Sequence, residues 1–210
     1  MTRALISHDP LPGDAPLPAI DMSAELAGLR LPSPVLTASG CAAAGRELDQ
    51  FVDITELGAI VTKSVKLNPQ SGRPTPRMAE TPSGMLNSIG LQGPGIDRFI
   101  EHDLAWLVDR GARTIVSIAG GSVDEYGKLA ARLRLTRGIS AIEVNISCPN
   151  VESRGQVFAC APDSAAAVIQ AVRRHSDPRM PILAKLSPDV TDIVEIAGAV
   201  VRAGATGVSV

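Results

Sequence analysis

Aromatic residues are few in this sequence of 210 residues, and it has no excess of positive charge. Phe, Trp and Tyr together make up 2% of it, so a platform of aromatic rings for stacking nucleobases is not expected. The chain has 20 Lys and Arg residues against 22 Asp and Glu residues, and its formal net charge is −2. That balance gives no basic excess for binding nucleic acid or an anionic membrane. We therefore expect neither as a partner.

Cysteine and histidine are scarce as well, with three of each. Cys41, Cys148 and Cys160 form no CxxC pair, and the histidines follow no zinc-ligand spacing, so the sequence predicts neither a metal site nor a disulfide framework. Long apolar runs are also lacking, since a stretch such as 196–201 is far shorter than the roughly 18 residues of a membrane span. Few cysteines and no signal peptide favour a cytoplasmic location.

The chain divides into two parts of unequal length. Residues 1–22 contain four prolines among scattered charges, which predicts a flexible N-terminal arm. Residues 23–210 are enough for one domain with a substantial core. Within it, Ala24–Leu26 and Leu29–Leu31 flank Gly28 as the two strands of a small hairpin would.

From residue 35 onward, short apolar segments alternate with helical patterns. The candidate strands are Val35–Ala38, Ala59–Lys63, Thr114–Ala119, Ala141–Ile146, Ile182–Leu186 and Thr206–Val210. The candidate helices are Arg46–Leu57, Ile96–Arg110, Val123–Arg137, Pro162–His175 and Thr191–Ala203. Glycines expected to form left-handed caps follow four of these helices: Gly58, Gly111, Gly138 and Gly204. The alternation predicts right-handed βαβ units and a parallel sheet.

Two architectures contain such a sheet, an open doubly wound sheet and a closed barrel. An open sheet is expected to carry a glycine-rich phosphate loop after its first strand, but the segment Ala38–Gly40 has no such motif. Instead, several of the predicted strands end in a polar residue. This is the arrangement of barrels, whose sites lie at the carboxyl ends of the strands. These residues are Ser39, Lys63, Ser117, Asn145 with Cys148, and Lys185. The sequence therefore favours an α/β fold of the TIM (β/α)8 barrel type.

The predicted barrel is incomplete. About six strands are present, and residue 210 falls inside the sixth. Barrels of this kind typically need ~250 residues. An open barrel exposes two sheet edges, which favour aggregation. We therefore expect further strands beyond residue 210.

The segment Ala141–Asn150 has the highest density of chemically useful side chains. Its apolar strand breaks at Pro149, which has no N–H for a strand ladder. A lone cysteine is usually a small core residue, but Cys148 follows a strand end among amides. Cys148 is therefore a candidate acid/base or nucleophile, and Asn145 and Asn150 are suited to hold a polar planar ligand.

Five motifs in this order and spacing resemble the class 1 dihydroorotate dehydrogenases, and most closely the NAD-linked class 1B catalytic subunit. They are Thr37–Gly40, Thr62–Ser64, Glu80–Gln92, Asn145–Asn150 and Lys185–Pro188. The resemblance runs from about residue 22 to the end of the chain. It implies an FMN-dependent catalytic domain over residues 23–210 that oxidises (S)-dihydroorotate to orotate in de novo pyrimidine (UMP) biosynthesis.

The resemblance also implies roles for individual residues. Cys148 would remove a proton from C5 of dihydroorotate while a hydride passes from C6 to flavin N5. The FMN contacts would be Ser39, Lys63, Ser64, Ser117, Asn145 and Lys185. The substrate contacts would be Lys63, Asn87, Ser88, Ile89, Gly90, Leu91, Asn145 and Asn150. Ser117 departs from the family pattern, because many members have Asn at this strand end.

Partners follow from the same resemblance. They are the small molecules dihydroorotate and orotate, an iron–sulfur/FAD electron-transfer subunit, and a second copy in a homodimer core when the protein is full length. The phosphate-binding loops of strands seven and eight would lie beyond residue 210. The 210-residue chain is therefore expected to bind FMN poorly and to turn over little.

Three other interpretations stay open. A flavin-dependent dihydropyrimidine dehydrogenase shares the barrel and the Cys motif, but usually lacks Asn at the position of Asn150. A non-catalytic barrel fragment would act only as a folding or interaction module. An unrelated phosphate-binding barrel isomerase would have its phosphate site in strands beyond residue 210.

Overall fold

The computed structural model describes residues 20–147 and 158–210. The strands in these ranges are β1 (Ala24–Leu26), β2 (Leu29–Leu31), β3 (Ile60–Val61), β4 (Met78–Thr81), β5 (Gly84–Asn87), β6 (Thr114–Ile118), β7 (Ala141–Asn145), β8 (Ile182–Lys185) and β9 (Gly207–Ser209). The helices are α1 (Ile96–Arg98), α2 (Ala105–Arg110), α3 (Val123–Arg134), α4 (Pro162–His175) and α5 (Ile193–Arg202). A π-helical stretch, Phe99–Leu104, joins α1 to α2 without a break. Residues 1–19 of the expected N-terminal arm lie outside the described ranges.

Five strands form a parallel sheet in the order β3-β6-β7-β8-β9. This spatial order is the same as their order along the chain. A doubly wound sheet would reverse its strand order at a switch point, and the described strands contain no such reversal. The observed topology is therefore that of a curled, incomplete barrel and not of a doubly wound sheet.

Helices cover one face of this sheet, and the first hairpin covers part of the other. Residues of alternate parity along β6, β7 and β8 pack with α3, α4 and α5 in the largest hydrophobic cluster. The opposite face is here called the concave face. At the amino ends of the strands it carries a smaller cluster, formed by Ala59, Val61, Ile115, Ala141 and Leu183. The β1–β2 hairpin packs against that cluster through three residues: Leu26, Ala27 and Leu29. The concave face is thus apolar and covered at its amino end.

Most predicted elements are present with bounds that differ by a few residues. The helix Pro162–His175 has the predicted bounds, and Ile96–Arg110 is helical throughout. The first predicted strand is one of two exceptions, because Val35–Ala38 contributes only one parallel bridge, between Leu36 and Ala59. The expected count of six strands is therefore not confirmed.

The predicted helix Arg46–Leu57 is wrong. This segment contains a single 3-10 turn, Leu48–Gln50, followed by turns. The side chain of Asp53 accepts hydrogen bonds from the backbone N and the hydroxyl of Thr55, at 2.9 and 2.7 Å. Such local side-chain bonds compete with helical backbone bonds, and they end the helical pattern here.

An ion pair ties the same segment to α2. Arg110 Nε and Nη2 donate to Asp49 Oδ2 and Oδ1 at 2.8 and 2.9 Å. The hydrogen bond from Arg110 holds the pKa of Asp49 below its usual value. The pair therefore favours the folded chain at pH values above the ordinary aspartate pKa, and this contribution is lost as the pH falls through the lowered value.

A second hairpin, β4–β5, was not among the predicted elements. Its two strands pair antiparallel from Met78 with Asn87 to Thr81 with Gly84. All eight residues of these strands are exposed. Neither strand packs one face on a core, so the alternation of apolar and polar residues that predicts a half-buried strand is not expected in their sequence.

Gly58 was expected to be a left-handed helix cap, and this is also wrong. Its φ is not positive, whereas Gly111, Gly138 and Gly204 have φ values of 76°, 86° and 111°. Glycine is needed here because the backbone at position 58 lies close to that of Ser33. A Cβ at position 58 would lie 2.2 Å from the carbonyl oxygen of Ser33. The backbone before β3 can therefore pack beside residues 33–35 only without a side chain.

We expect Gly58→Ala to lower the free energy of unfolding by about 3 kcal/mol, because backbone must move to admit the methyl group. Gly93→Ala is the matched control, since a Cβ at Gly93 meets nothing within 4 Å and its φ is not positive. Its effect should stay below about 1 kcal/mol. Urea unfolding of the two variants and the parent chain measures both changes, and equal effects would contradict the close-approach explanation.

Candidate functional site

Polar side chains occupy the concave face where the apolar cluster ends. Ala141 and Leu183 belong to that cluster, and side chains alternate between faces along a strand. Glu143, Asn145 and Lys185 therefore point to the same side, toward the carboxyl ends of β7 and β8. In register, Asn145 pairs with Lys185, and Lys185 pairs with Ser209. A polar row thus crosses three neighbouring strands, here called the carboxyl-end row (Asn145, Lys185 and Ser209).

A buried hydrogen-bond cluster joins this row to β3 and β6. Asn145 Nδ2 donates to Ser64 Oγ at 2.9 Å. Ser64 Oγ lies 3.0 Å from Ser117 Oγ, and either hydroxyl can donate. The backbone N of Ser117 donates to Thr62 Oγ1 at 3.2 Å. All four side chains are buried, so three of the expected flavin contacts are brought together across three strands.

Neighbouring groups fix the orientation of Asn145. Its Oδ1 accepts from the backbone N of Ser147 at 3.2 Å and from Ser147 Oγ at 2.7 Å. Its backbone oxygen accepts from the hydroxyl of Tyr126, on α3, at 2.6 Å. Because Nδ2 is hydrogen-bonded to Ser64 and Oδ1 is hydrogen-bonded to Ser147, the Asn145 amide is held in one orientation without a ligand.

The two expected lysines lie at different parts of the same edge. Lys185 Nζ donates to Ser39 Oγ at 2.9 Å, which links the end of β8 to a residue 146 positions earlier. Lys63, two residues after the end of β3, borders an open cavity of about 250 Å³ together with Ser64 and Gln92. It also borders a second, wider cavity beside Gly40. Both lysine residues are half-buried at the carboxyl edge of the sheet.

The expected substrate residues 87–91 lie on the excursion between β3 and α1. Asn87 ends β5, and Asn87, Ser88 and Gly90 are exposed. The backbone of this segment is held by residues 73–77: Ser88 N donates to Arg77 O at 2.8 Å, and Arg73 N donates to Ile89 O at 2.9 Å. Leu91 has a φ of 47°, which non-glycine residues adopt rarely. Beyond it, the chain returns to the cavity that Lys63 borders.

Two of the expected site residues, Cys148 and Asn150, lie outside the described residues. Within residues 20–147 and 158–210, no group of three or more His, Cys, Asp or Glu side chains is arranged to hold a metal ion. No helix in those ranges is both long and apolar enough to cross a membrane.

The sequence reasoning missed two polar residues of this region. Glu143 is 4% exposed on the concave face of β7. A charged residue inside the otherwise apolar segment Ala141–Ile146 was the available signal. Gln92 borders both cavities beside Lys63. It ends the motif Glu80–Gln92, but no role was assigned to it, because its place beside Lys63 depends on the path of the whole 66–95 excursion.

The fold and this row define a β/α protein with a polar site at the carboxyl ends of parallel strands, the arrangement of barrel enzymes. The chain belongs to the dihydroorotate dehydrogenase family, whose family model matches residues 21–210.

Curated relatives agree with that assignment. A protein of Geotalea daltonii is 47% identical over 189 residues, which is 90% of this chain and 61% of the relative. One from Desulforudis audaxviator is 49% identical over 184 residues, 88% of this chain and 59% of the relative. One from Anoxybacillus flavithermus is 45% identical over 188 residues, 90% and 60% of the two chains. Each is named dihydroorotate dehydrogenase B (NAD(+)), catalytic subunit. The chain thus spans about 60% of the length of these relatives.

Removing the central hydroxyl of the buried cluster should cost stability. We expect Ser64→Ala to lower the free energy of unfolding by about 1–3 kcal/mol, because it leaves Asn145 Nδ2 and Ser117 Oγ without this partner. Ser64→Ala combined with Ser117→Ala should cost less than the sum of the two, since each change breaks the same Ser–Ser bond. Ser83→Ala, at the exposed hairpin turn, is the control. Additive losses in urea unfolding would contradict the coupled cluster.

Proposed function

We propose that this chain carries the catalytic site for the FMN-dependent oxidation of (S)-dihydroorotate to orotate, a cytoplasmic step of pyrimidine biosynthesis. The observation that supports it most is the carboxyl-end row with its Ser64–Ser117–Asn145 cluster, in a chain of this family. The sheet would be part of a (β/α)8 barrel, because its spatial order follows the chain order.

The side chains at this edge fit a flavin. A flavin's pyrimidine edge alternates N–H and C=O groups, and an oriented amide such as that of Asn145 offers both a donor and an acceptor. Lys185, half-buried beside Ser39, supplies a positive charge where negative charge develops on a reduced ring. Ser39, Lys63, Ser64, Ser117, Asn145 and Lys185 would hold FMN. Bound flavin would supply the hydride acceptor, its N5 atom.

The remaining roles concern the substrate. Residues Asn87 to Leu91, with Lys63, Asn145 and Asn150, would orient the pyrimidine ring and its carboxylate. Lys63 suits the carboxylate, because its ammonium group borders an open cavity at the strand ends. Cys148 would accept the proton from C5.

The partner proposal rests on the relatives. Their names describe an NAD(+)-linked catalytic subunit, which implies a second subunit for electron transfer. We assign the same arrangement to this protein, with an iron–sulfur/FAD subunit as the electron-transfer partner. A homodimer would form its core.

Loss of the base should slow chemistry without removing the cofactor. In the whole FMN-loaded protein, Cys148→Ala should slow anaerobic reduction of the flavin by dihydroorotate about 10²-fold or more, the usual scale for a lost general base. Orotate should still bind through the asparagines. Cys160→Ala is the matched control, because Cys160 is an exposed free cysteine. Flavin bleaching in a stopped-flow instrument measures both rates, and a wild-type rate in Cys148→Ala would require another base.

Ligand choice separates this proposal from its main rival. Orotate is expected to perturb the spectrum of the bound flavin and uracil is not, because Lys63 and Asn150 would provide a place for the carboxylate that uracil lacks. NAD(+) should support turnover in the presence of the partner subunit. Tighter binding of uracil than of orotate would indicate a dihydropyrimidine dehydrogenase. Turnover with ubiquinone analogues but not with NAD(+) would contradict the NAD-linked assignment.

A further inference from the structure

Glu143 is a buried acid for which the proposed reaction has no use. It lies in the middle of β7, and its side chain is 4% exposed. Its Oε2 accepts one hydrogen bond, from Ser209 Oγ at 3.0 Å. Its Oε1 is buried and has no hydrogen-bond partner in the described part of the chain. Burial of a carboxylate is costly unless a charge of opposite sign compensates it, so a compensating group is expected nearby.

The sheet register identifies that group. Glu143 is on β7 and its hydrogen-bond partner Ser209 is on β9, while β8 lies between them. The side chain of Glu143 must therefore cross β8 on the concave face. Lys185 is the residue of β8 that pairs with Ser209 in register, and its side chain points to that face. Lys185 is therefore the cationic side chain of β8 on the face that the carboxylate crosses.

The other lysine of the site is less suited to this role. Lys63 follows β3, and β6 separates β3 from β7. The carboxylate of Glu143 reaches in the opposite direction, toward β9. Charges inside a protein attract each other beyond hydrogen-bond distance and are little screened, so Lys185 can be held by Glu143 while its Nζ donates to Ser39.

We propose that Glu143 is a positioning residue: it is the counter-charge of Lys185 and holds that ammonium group at the floor of the site. The interaction itself needs no ligand. Its role in orienting Lys185 toward a flavin rests on the proposed function. Ser209 contributes by donating a hydrogen bond that fixes one carboxylate oxygen.

A double-mutant cycle without flavin tests the pairing. Urea unfolding is measured for the parent chain, Glu143→Gln, Lys185→Met and the double variant. Lys185→Met should raise the unfolding equilibrium constant on the order of tenfold more in the parent than in the E143Q background, because only the parent keeps a buried carboxylate that loses its counter-charge. The control cycle replaces Lys185→Met by Lys63→Met and should be additive. Additive losses in the Lys185 cycle, or equal coupling in both cycles, would overturn the proposal.

If Lys185→Met does not fold, the ammonium group can be observed directly. In Glu143→Gln, the ¹H–¹⁵N signal of Lys185 Nζ should shift more than that of Lys63 Nζ, since only Lys185 loses its neighbouring charge. An unchanged Lys185 signal would overturn the pairing.

The role toward the cofactor has a separate test in the whole FMN-loaded protein. Glu143→Gln should raise the reduction potential of the bound flavin, because it removes a negative charge next to the lysine that faces the ring. Glu195→Gln, on the exposed start of α5, is the control and should leave the potential unchanged. An unchanged potential in Glu143→Gln would overturn the positioning role. Failure to bind FMN at all would contradict the proposed function, whereas the ligand-free cycle would still decide the pairing.

Discussion

The parallel register of β6, β7 and β8 is the constraint on which the candidate site depends. Because neighbouring strands run in one direction, their carboxyl ends meet at a single edge of the sheet. Because side chains alternate between faces, the same register sends the apolar residues of one parity to the helices and the polar ends to the concave face. Asn145, Lys185 and Ser209 become neighbours in this way, although 64 residues separate the first from the last.

Polar groups on the concave face are compatible with a stable sheet because they form hydrogen bonds with one another. Ser64, Ser117 and Asn145 form a connected buried cluster, and the apolar layer below it is covered by the β1–β2 hairpin. A buried polar group with a partner costs little, whereas one without a partner is expensive. Among the residues that the structure describes, Glu143 is the one with a buried side-chain oxygen that has no hydrogen-bond partner.

Sequence reasoning failed where local and long-range interactions compete. The segment 46–57 has helical periodicity, but the side chain of Asp53 bonds to Thr55 and Arg110 holds Asp49, and neither contact is visible as a pattern. Gly58 has the position of a cap, yet its lack of a side chain serves a close approach to Ser33. The β4–β5 hairpin is exposed on both strands, so it leaves no burial pattern in the sequence.

The sequence by itself determined the class of fold and the identity of most candidate residues. Buried parallel strands must be apolar along their length, so a polar residue at each strand end is visible without coordinates, as for Ser117, Asn145 and Lys185. Only the tertiary structure decided which of these side chains meet. The bonds from Asn145 to Ser64 and from Lys185 to Ser39 span 81 and 146 residues. The bond from Glu143 to Ser209 passes over an intervening strand. Such pairings depend on strand order and register, which arise from packing of the whole sheet and have no local signature.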